Sequence, residues 1–143
     1  KQKDIQPKNR EEFEALIAST AMQAPSTYHL ESYTTSSSNL TGSMSQVTLK
    51  CNDEIICGVS NGDGPIDSVF RAIEQCIGHH YELDDFQIQS VTEGKEAMGS
   101  ALVKLRFEGK LYSGNGISTD IIGASIRAYI NAVNKIVYEE HNA

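Results

Sequence analysis

The sequence predicts an α+β domain made by internal duplication of a βββα unit, with antiparallel sheet covered on one face by helices and a pseudo-twofold relation between the halves. Three observations predict it. Residue periodicity switches from two to about 3.6 twice, at Gly62–Gly64 and again at Gly116–Asp120. Three short strand patterns precede each switch. At each, a glycine-bearing turn opens a helix: Asn61-Gly62-Asp63-Gly64-Pro65-Ile66-Asp67 in the first half and Asn115-Gly116-Ile117-Ser118-Thr119-Asp120 in the second.

Residues 1–27 read as a polar tail and a short helix. Asn9 and Glu12 form a capping-box pattern, and Phe13, Leu16, Ile17 and Ala21 recur at helical spacing until Pro25. The unit over 28–78 begins with Tyr28 to Ser38, rich in Tyr and Thr, turns over Asn39 to Gly42, and continues through Val47, Leu49 and Cys51. Asn52-Asp53 turns into a third strand, Glu54 to Ser60, with Ile55, Cys57 and Val59 on one face. The helix that follows carries Ile66, Val69, Phe70, Ile73 and Ile77 as one stripe.

The unit over 79–143 repeats the order. Tyr81 to Thr92 carries Leu83, Phe86, Ile88 and Val91; Glu93-Gly94-Lys95 turns; Ala101, Val103, Leu105 and Phe107 alternate with Leu102, Lys104 and Arg106. After Glu108-Gly109-Lys110 comes a short strand, Leu111 to Gly114, and then a long helix with the stripe Ile122, Ile126, Tyr129, Val133 and Ile136. Matching the two helix starts sets Asp67 against Asp120, an offset of 53. Ile121, Ala124, Ala128 and Ala132 form a second, small-residue face that points to a second neighbour, and so to a homodimer.

Composition excludes several functions. The 143 residues suit one domain, and a net charge of −7 with scattered basic residues leaves no footprint for nucleic acid or an anionic membrane. No apolar run approaches a membrane span and no signal-peptide core is present, so a cytoplasmic protein is expected. Cys51, Cys57 and Cys76, without a C-x-x-C pair, read as buried free thiols. The adjacent His79 and His80 cannot chelate one ion from a strand, His29 and His141 lack carboxylates at ligand spacing, and Asp84-Asp85 and Glu139-Glu140 read as solvated faces. No Gly-x-Ser-x-Gly elbow supports a hydrolase.

The turn at Gly62–Asp67 is the candidate site. Pro65 suits the first helical position, and a helix start without a side-chain cap offers N–H donors and partial positive charge to an anion. A plain strand-to-helix turn has the same sequence marks. The turn has no Lys or Arg, and Asp63 and Asp67 would repel a polyphosphate. The same acids suit a zwitterion: N–H groups for its carboxylate, an aspartate for its ammonium, and Ile66 for an apolar side chain, as in a free branched-chain amino acid.

At these residues the chain resembles the C-terminal allosteric and dimerisation domain of 2-isopropylmalate synthases, shared with citramalate synthases. The resemblance covers 28–138 and rests on Tyr28-His29-Leu30-Glu31-Ser32, on Gly62 to Asp67, on Val91-Thr92-Glu93-Gly94-Lys95-Glu96-Ala97-Met98-Gly99, and on Gly116 to Ile122 followed by Ala124-Ser125. It implies a duplicated βββα fold and a homodimer that binds an end-product amino acid between its regulatory domains. Leucine is expected first and isoleucine second. The effector residues it implies are Gly62, Asp63, Gly64, Ile66, Asp67, Leu83, Phe86, Ser90, Ala97 and Ile121, with Asp63 standing where the family usually has Asn. It implies no catalytic residue or cofactor in this chain: divalent metal and acetyl-CoA belong to a TIM barrel that lies elsewhere in the parent acyltransferase. Two other readings are a stand-alone sensor such as an ACT-like unit, which would run βαββαβ, and a purely structural dimerisation module.

Overall fold

Alternation of apolar and polar side chains in the first half yields three strands, β1 (Tyr28–Ser38), β2 (Gly42–Cys51) and β3 (Glu54–Gly62), and the glycine turn then starts helix α1 (Pro65–Ile77). The second half repeats this as β4 (Glu82–Glu93), β5 (Glu96–Phe107), β6 (Lys110–Ser118) and α2 (Ile121–His141). This computed structural model describes residues 27–40, 42–93 and 96–141, with 90–93, 96, 97 and 141 described in backbone only. The helix expected over Asn9 to Ala24, together with the turn residues Gly94 and Lys95, lies outside the described residues.

Each half forms its own antiparallel three-stranded sheet in chain order, β1-β2-β3 and β4-β5-β6. The last hairpin turns on Glu108 (φ 52°) and Gly109 (φ 81°), the pair of positive φ values that a two-residue type I′ turn requires. β1 and β4 each carry a register shift, between Leu30 and Ser32 and between Leu83 and Asp85. The shift places Leu83 and Phe86, three residues apart, on the same face of β4, opposite Leu105 and Val103.

The helices lie close to their sheets because glycine stands beneath them. An added Cβ at Gly58 would lie 2.2 Å from the Ala72 carbonyl oxygen, and one at Gly114 would lie 2.1 Å from that of Ala128. Val47 and Leu49, Ala101, Val103 and Leu105 meet Val69, Phe70, Ala72 and Ile73 of α1 and Ile126, Tyr129, Val133 and Ile136 of α2 in one shared core. The halves interlock there: Phe70 of α1 packs on Tyr129 of α2 (4.8 Å between ring centroids) and edge-on against Phe86 of β4 (5.4 Å, 85°). Asn134 of α2 takes the β1 backbone from the side, accepting from the Tyr28 N–H (2.9 Å) and donating to the Tyr28 carbonyl (3.0 Å).

Five expectations are corrected. The helix starts align Gly64 with Asp120, not Asp67 with Asp120: the Ser68 N–H bonds the Gly64 carbonyl and the Ala124 N–H bonds the Asp120 carbonyl, each at 2.9 Å. The offset is therefore 56 through β2, β3 and α1, while 53 holds only for β1 against β4, so the second unit's first hairpin is three residues longer. β6 continues to Ser118, because β5 offers partners as far as Gly99, so Gly116 is strand and not turn. On β3 it is Ile55, Cys57 and Val59 that face solvent (Ile55 60% exposed), since α1 sits over Gly58 on the opposite face. Of the cysteines only Cys76 is buried: burial pushes its thiol up to about 11 and its S–H donates to the Val47 carbonyl (3.3 Å), whereas Cys57 is exposed. Finally, Ala124, Ala128 and Ala132 do not face a second subunit; their backbone rests on Gly114 and Gly116 of the chain's own sheet.

Candidate functional site

At the start of α1, Gly64 is the N-cap, Pro65 occupies N1, and no side chain among the described residues caps the helix. The Ile66 and Asp67 N–H groups, at N2 and N3, are the donors that a cap would otherwise satisfy. Asp67 reaches back to accept from the Asp63 N–H (3.0 Å) and pairs with Arg71 one turn on (3.1 Å), so its carboxylate is engaged. The Asp63 side chain has no partner among the described residues. Glycine at 64 is required neither by conformation, since φ −154° is extended backbone, nor by space, since an added Cβ would meet nothing within 4 Å.

The equivalent start of α2 is closed. Asp120 accepts from the Ile122 N–H and the Gly123 N–H (3.2 Å each) and from the Tyr33 hydroxyl (2.6 Å), which reaches across from β1. The Tyr33 hydrogen bond is the largest cause holding the Asp120 carboxyl below the ordinary carboxylate range; partial burial works against it, and the two backbone N–H groups and Arg127 reinforce it. Position 33 corresponds to 86 at the strand offset of 53, so Tyr33 binds the filled helix start while its counterpart is a phenylalanine, without a hydroxyl, that packs on Phe70 of the helix with the open start. A depressed carboxyl stabilises the fold above its unfolded value of about 3.9, and that contribution is lost as pH falls through the lower folded value. Asp120→Ala is accordingly expected to cost about 1 kcal/mol at pH 7. Urea unfolding should show the gap to the parent chain narrowing near pH 3; an equal gap at both pH values would contradict this role.

The β4 residues complete the arrangement. Leu83, Phe86 and Ile88 lie on the inner face, opposite Leu105, Val103 and Ala101, and the backbone of Ser90 pairs with Gly99. α2 runs over β6 and β5 and leaves this edge strip uncovered, with Leu83 44% and Ile88 41% exposed beside fully buried Val103 and Leu105. Ile121, the first residue of α2, spans Gly99: an added Cβ there would lie 2.6 Å from its Cδ1.

The ten residues named from sequence thus fall in two groups along one strip. Gly62, Asp63, Gly64, Ile66 and Asp67 form the α1 start, adjoining Phe86 through Phe70, one turn after Ile66. Ser90 and Ala97 are placed by strand register at the far end of β4 and the start of β5, near Gly99 and Ile121, and Leu83 begins the strip. Sequence reasoning missed the Tyr33–Asp120 bond, which joins residues 87 positions apart, and the inward position of Ile88. A shallow polar cleft of about 370 Å³ at the other end of α1 is bordered by Arg71, Gln75 and His79, and there Glu74 is bound to His80 (2.7 Å). No helix among the described residues is long and apolar enough to cross a membrane.

Comparison with known proteins gives one consistent answer. The model of the LeuA allosteric (dimerisation) domain matches residues 9–137. The chain is 41% identical over 132 residues to a 2-isopropylmalate synthase of Clostridium kluyveri, covering 92% of this chain and 26% of that protein. It is 37% identical over 141 residues to a 2-isopropylmalate synthase of Ruminiclostridium cellulolyticum, covering 96% and 28% respectively. The chain therefore spans about a quarter of the length of the curated relatives it matches.

Proposed function

The chain belongs to the LeuA allosteric (dimerisation) domain family, and from that membership we propose that it is the feedback-regulatory, dimerising part of a 2-isopropylmalate synthase whose effector is leucine. The observation that carries this reading is the contrast between two equivalent helix starts: one filled by Asp120, the other left open by a glycine that neither backbone nor packing requires. The open Ile66 and Asp67 N–H groups take the leucine carboxylate, helped by the positive end of the helix dipole. The Asp63 carboxylate takes the ammonium, since Asp67 is already bound to Arg71 and to the Asp63 N–H. The side chain lies along Phe86, where burial contributes about 2 kcal/mol. Two copies of the chain share the effector, and its differential affinity for two dimer arrangements is what reaches the rest of the protein. Condensation of acetyl-CoA with 2-oxoisovalerate, with its divalent metal, belongs in this reading to the remainder of the parent protein.

Titration calorimetry with leucine, isoleucine and valine tests the proposal. Leucine is expected to bind at one molecule per chain, because the α2 start is self-filled, and more tightly than the other two. Preference for isoleucine would move the parent to a citramalate synthase. Absence of heat with all three, on a chain that sediments as a folded dimer, would leave a structural dimerisation module.

A further inference from the structure

Ile88 stands in a cross-strand row with Ala101 and Gly116. α2 covers the Gly116 end, where an added Cβ would lie 2.2 Å from the Ala124 carbonyl oxygen, and Ala101 in the middle is 1% exposed. Ile88, at the open end on the edge strand, faces the same side yet is 41% exposed. An isoleucine on the inner face with neither described helix above it is an apolar surface left for something else to cover.

The duplication shows what that row looks like when it is closed from within. The corresponding row of the first unit is Thr35, Ser45 and Ser60, at offsets of 53 and 56. There Thr35 is hydrogen-bonded to Ser45 (3.0 Å), and Ser45, itself 1% exposed, to Ser68 of α1 (2.6 Å). The neighbouring pair Ser37 and Ser43 is likewise joined (2.9 Å). In the second unit Ile88, Ala101 and Ala124 replace Thr35, Ser45 and Ser68, and Gly99, between Ser90 and Ser118, replaces Ser43, so the hydroxyl link from strand to helix is gone and Ile121 reaches over Gly99. One trough joins its polar groups to one another; in the other, the row of Ile88 and Ala101 is apolar and no described element covers its Ile88 end.

Resting on the effector reading above, we infer that Ile88 is a specificity-determining residue that meets the far end of the bound amino acid's side chain. Phe86 adjoins α1 through Phe70, and Ile88 lies two residues further along the same face, about 7 Å on at the rise of a strand. A ligand held at the α1 start with its side chain along Phe86 then brings its terminal methyl groups toward Ile88. Its ligand class is therefore an unbranched or branched aliphatic amino acid whose length is read at position 88.

The experiment compares dissociation constants for leucine, isoleucine, valine and methionine in the parent chain, in Ile88→Ala and in Ile88→Phe, with Thr35→Val as the matched change in the closed row. Ile88→Ala is expected to weaken leucine about tenfold while methionine loses less, and Ile88→Phe to reverse the order of leucine and the shorter valine. Thr35→Val should leave the ratios unchanged. Leucine-to-valine and leucine-to-methionine ratios equal to the parent's in both Ile88 variants, with far-UV circular dichroism intact, would overturn the role of Ile88 while leaving the effector reading in place. A parent chain that binds none of the four overturns both. Should Ile88→Ala fail to fold, Ile88→Val serves the same comparison, with the leucine-to-valine ratio the quantity that must move.

Discussion

Gly64→Asp is expected to abolish amino-acid binding while leaving the domain as stable as before or slightly more so. The substitution copies the α2 start onto α1. Asp120 shows the result: its carboxylate sits on the two N–H groups at N2 and N3 of its helix. An aspartate at 64 has room to do the same, since φ −154° suits any residue and no atom lies within 4 Å of the added Cβ. It would occupy the donors offered to the effector carboxylate and set a like charge where that carboxylate must arrive, so a loss of binding of at least about 100-fold is expected from the charge-assisted hydrogen bonds alone. Capping and the helix dipole add about 0.5 kcal/mol of stability, tempered by the nearby Asp63 and Asp67. Gly64→Ala is the companion: it fills the same space without an acceptor, leaves the N–H groups open, and should retain binding. Calorimetry and thermal unfolding on both variants decide it. Leucine affinity unchanged in Gly64→Asp would remove the α1 start from the site.

How much of this was legible in the sequence depends on which physical signal each feature leaves. The duplicated βββα order was, because the change of period from two to 3.6 survives wherever one face is buried, as in Ala101, Val103 and Leu105 followed by Ile126, Tyr129 and Val133. The glycine-proline turn was, because Pro65 at N1 has a local cause. The true alignment of the two starts was not: each has an aspartate near its helix, and motif matching paired Asp67 at N3 with Asp120 at N-cap, a distinction made only by where the first helical hydrogen bond forms. β3 misled because its covered face is marked by Gly58, and hydrophobic periodicity cannot register a residue whose contribution is to be absent. The alanines of α2 misled for the same reason, since a small-residue face fits a close sheet as well as another subunit. The inward position of Ile88 relative to Leu83 depends on a register shift at Leu83/Asp85 that leaves no mark in the alternation.

Gly114→Ala is expected to be the most disruptive one-carbon change in the described fold, destabilising it by about 3 kcal/mol. The added methyl would sit 2.1 Å from the Ala128 carbonyl oxygen and 2.4 Å from the Ala132 nitrogen. Both are backbone atoms of a regular helix, so no rotamer change relieves the overlap; α2 must lift from β6 or β6 must bend. Either movement loosens the contacts of Ala101, Val103 and Leu105 with the buried α2 stripe and shifts Ile121, so leucine binding should weaken along with stability. Gly58→Ala, its counterpart at an offset of 56 with 2.2 Å to the Ala72 carbonyl oxygen, should cost a similar amount through α1. Urea denaturation reads the result as a lower midpoint at unchanged slope. If Gly114→Ala unfolds at the midpoint of the parent chain, the close seating of α2 on its sheet is wrong, and with it the reason why α2 leaves the inner edge of β4 uncovered.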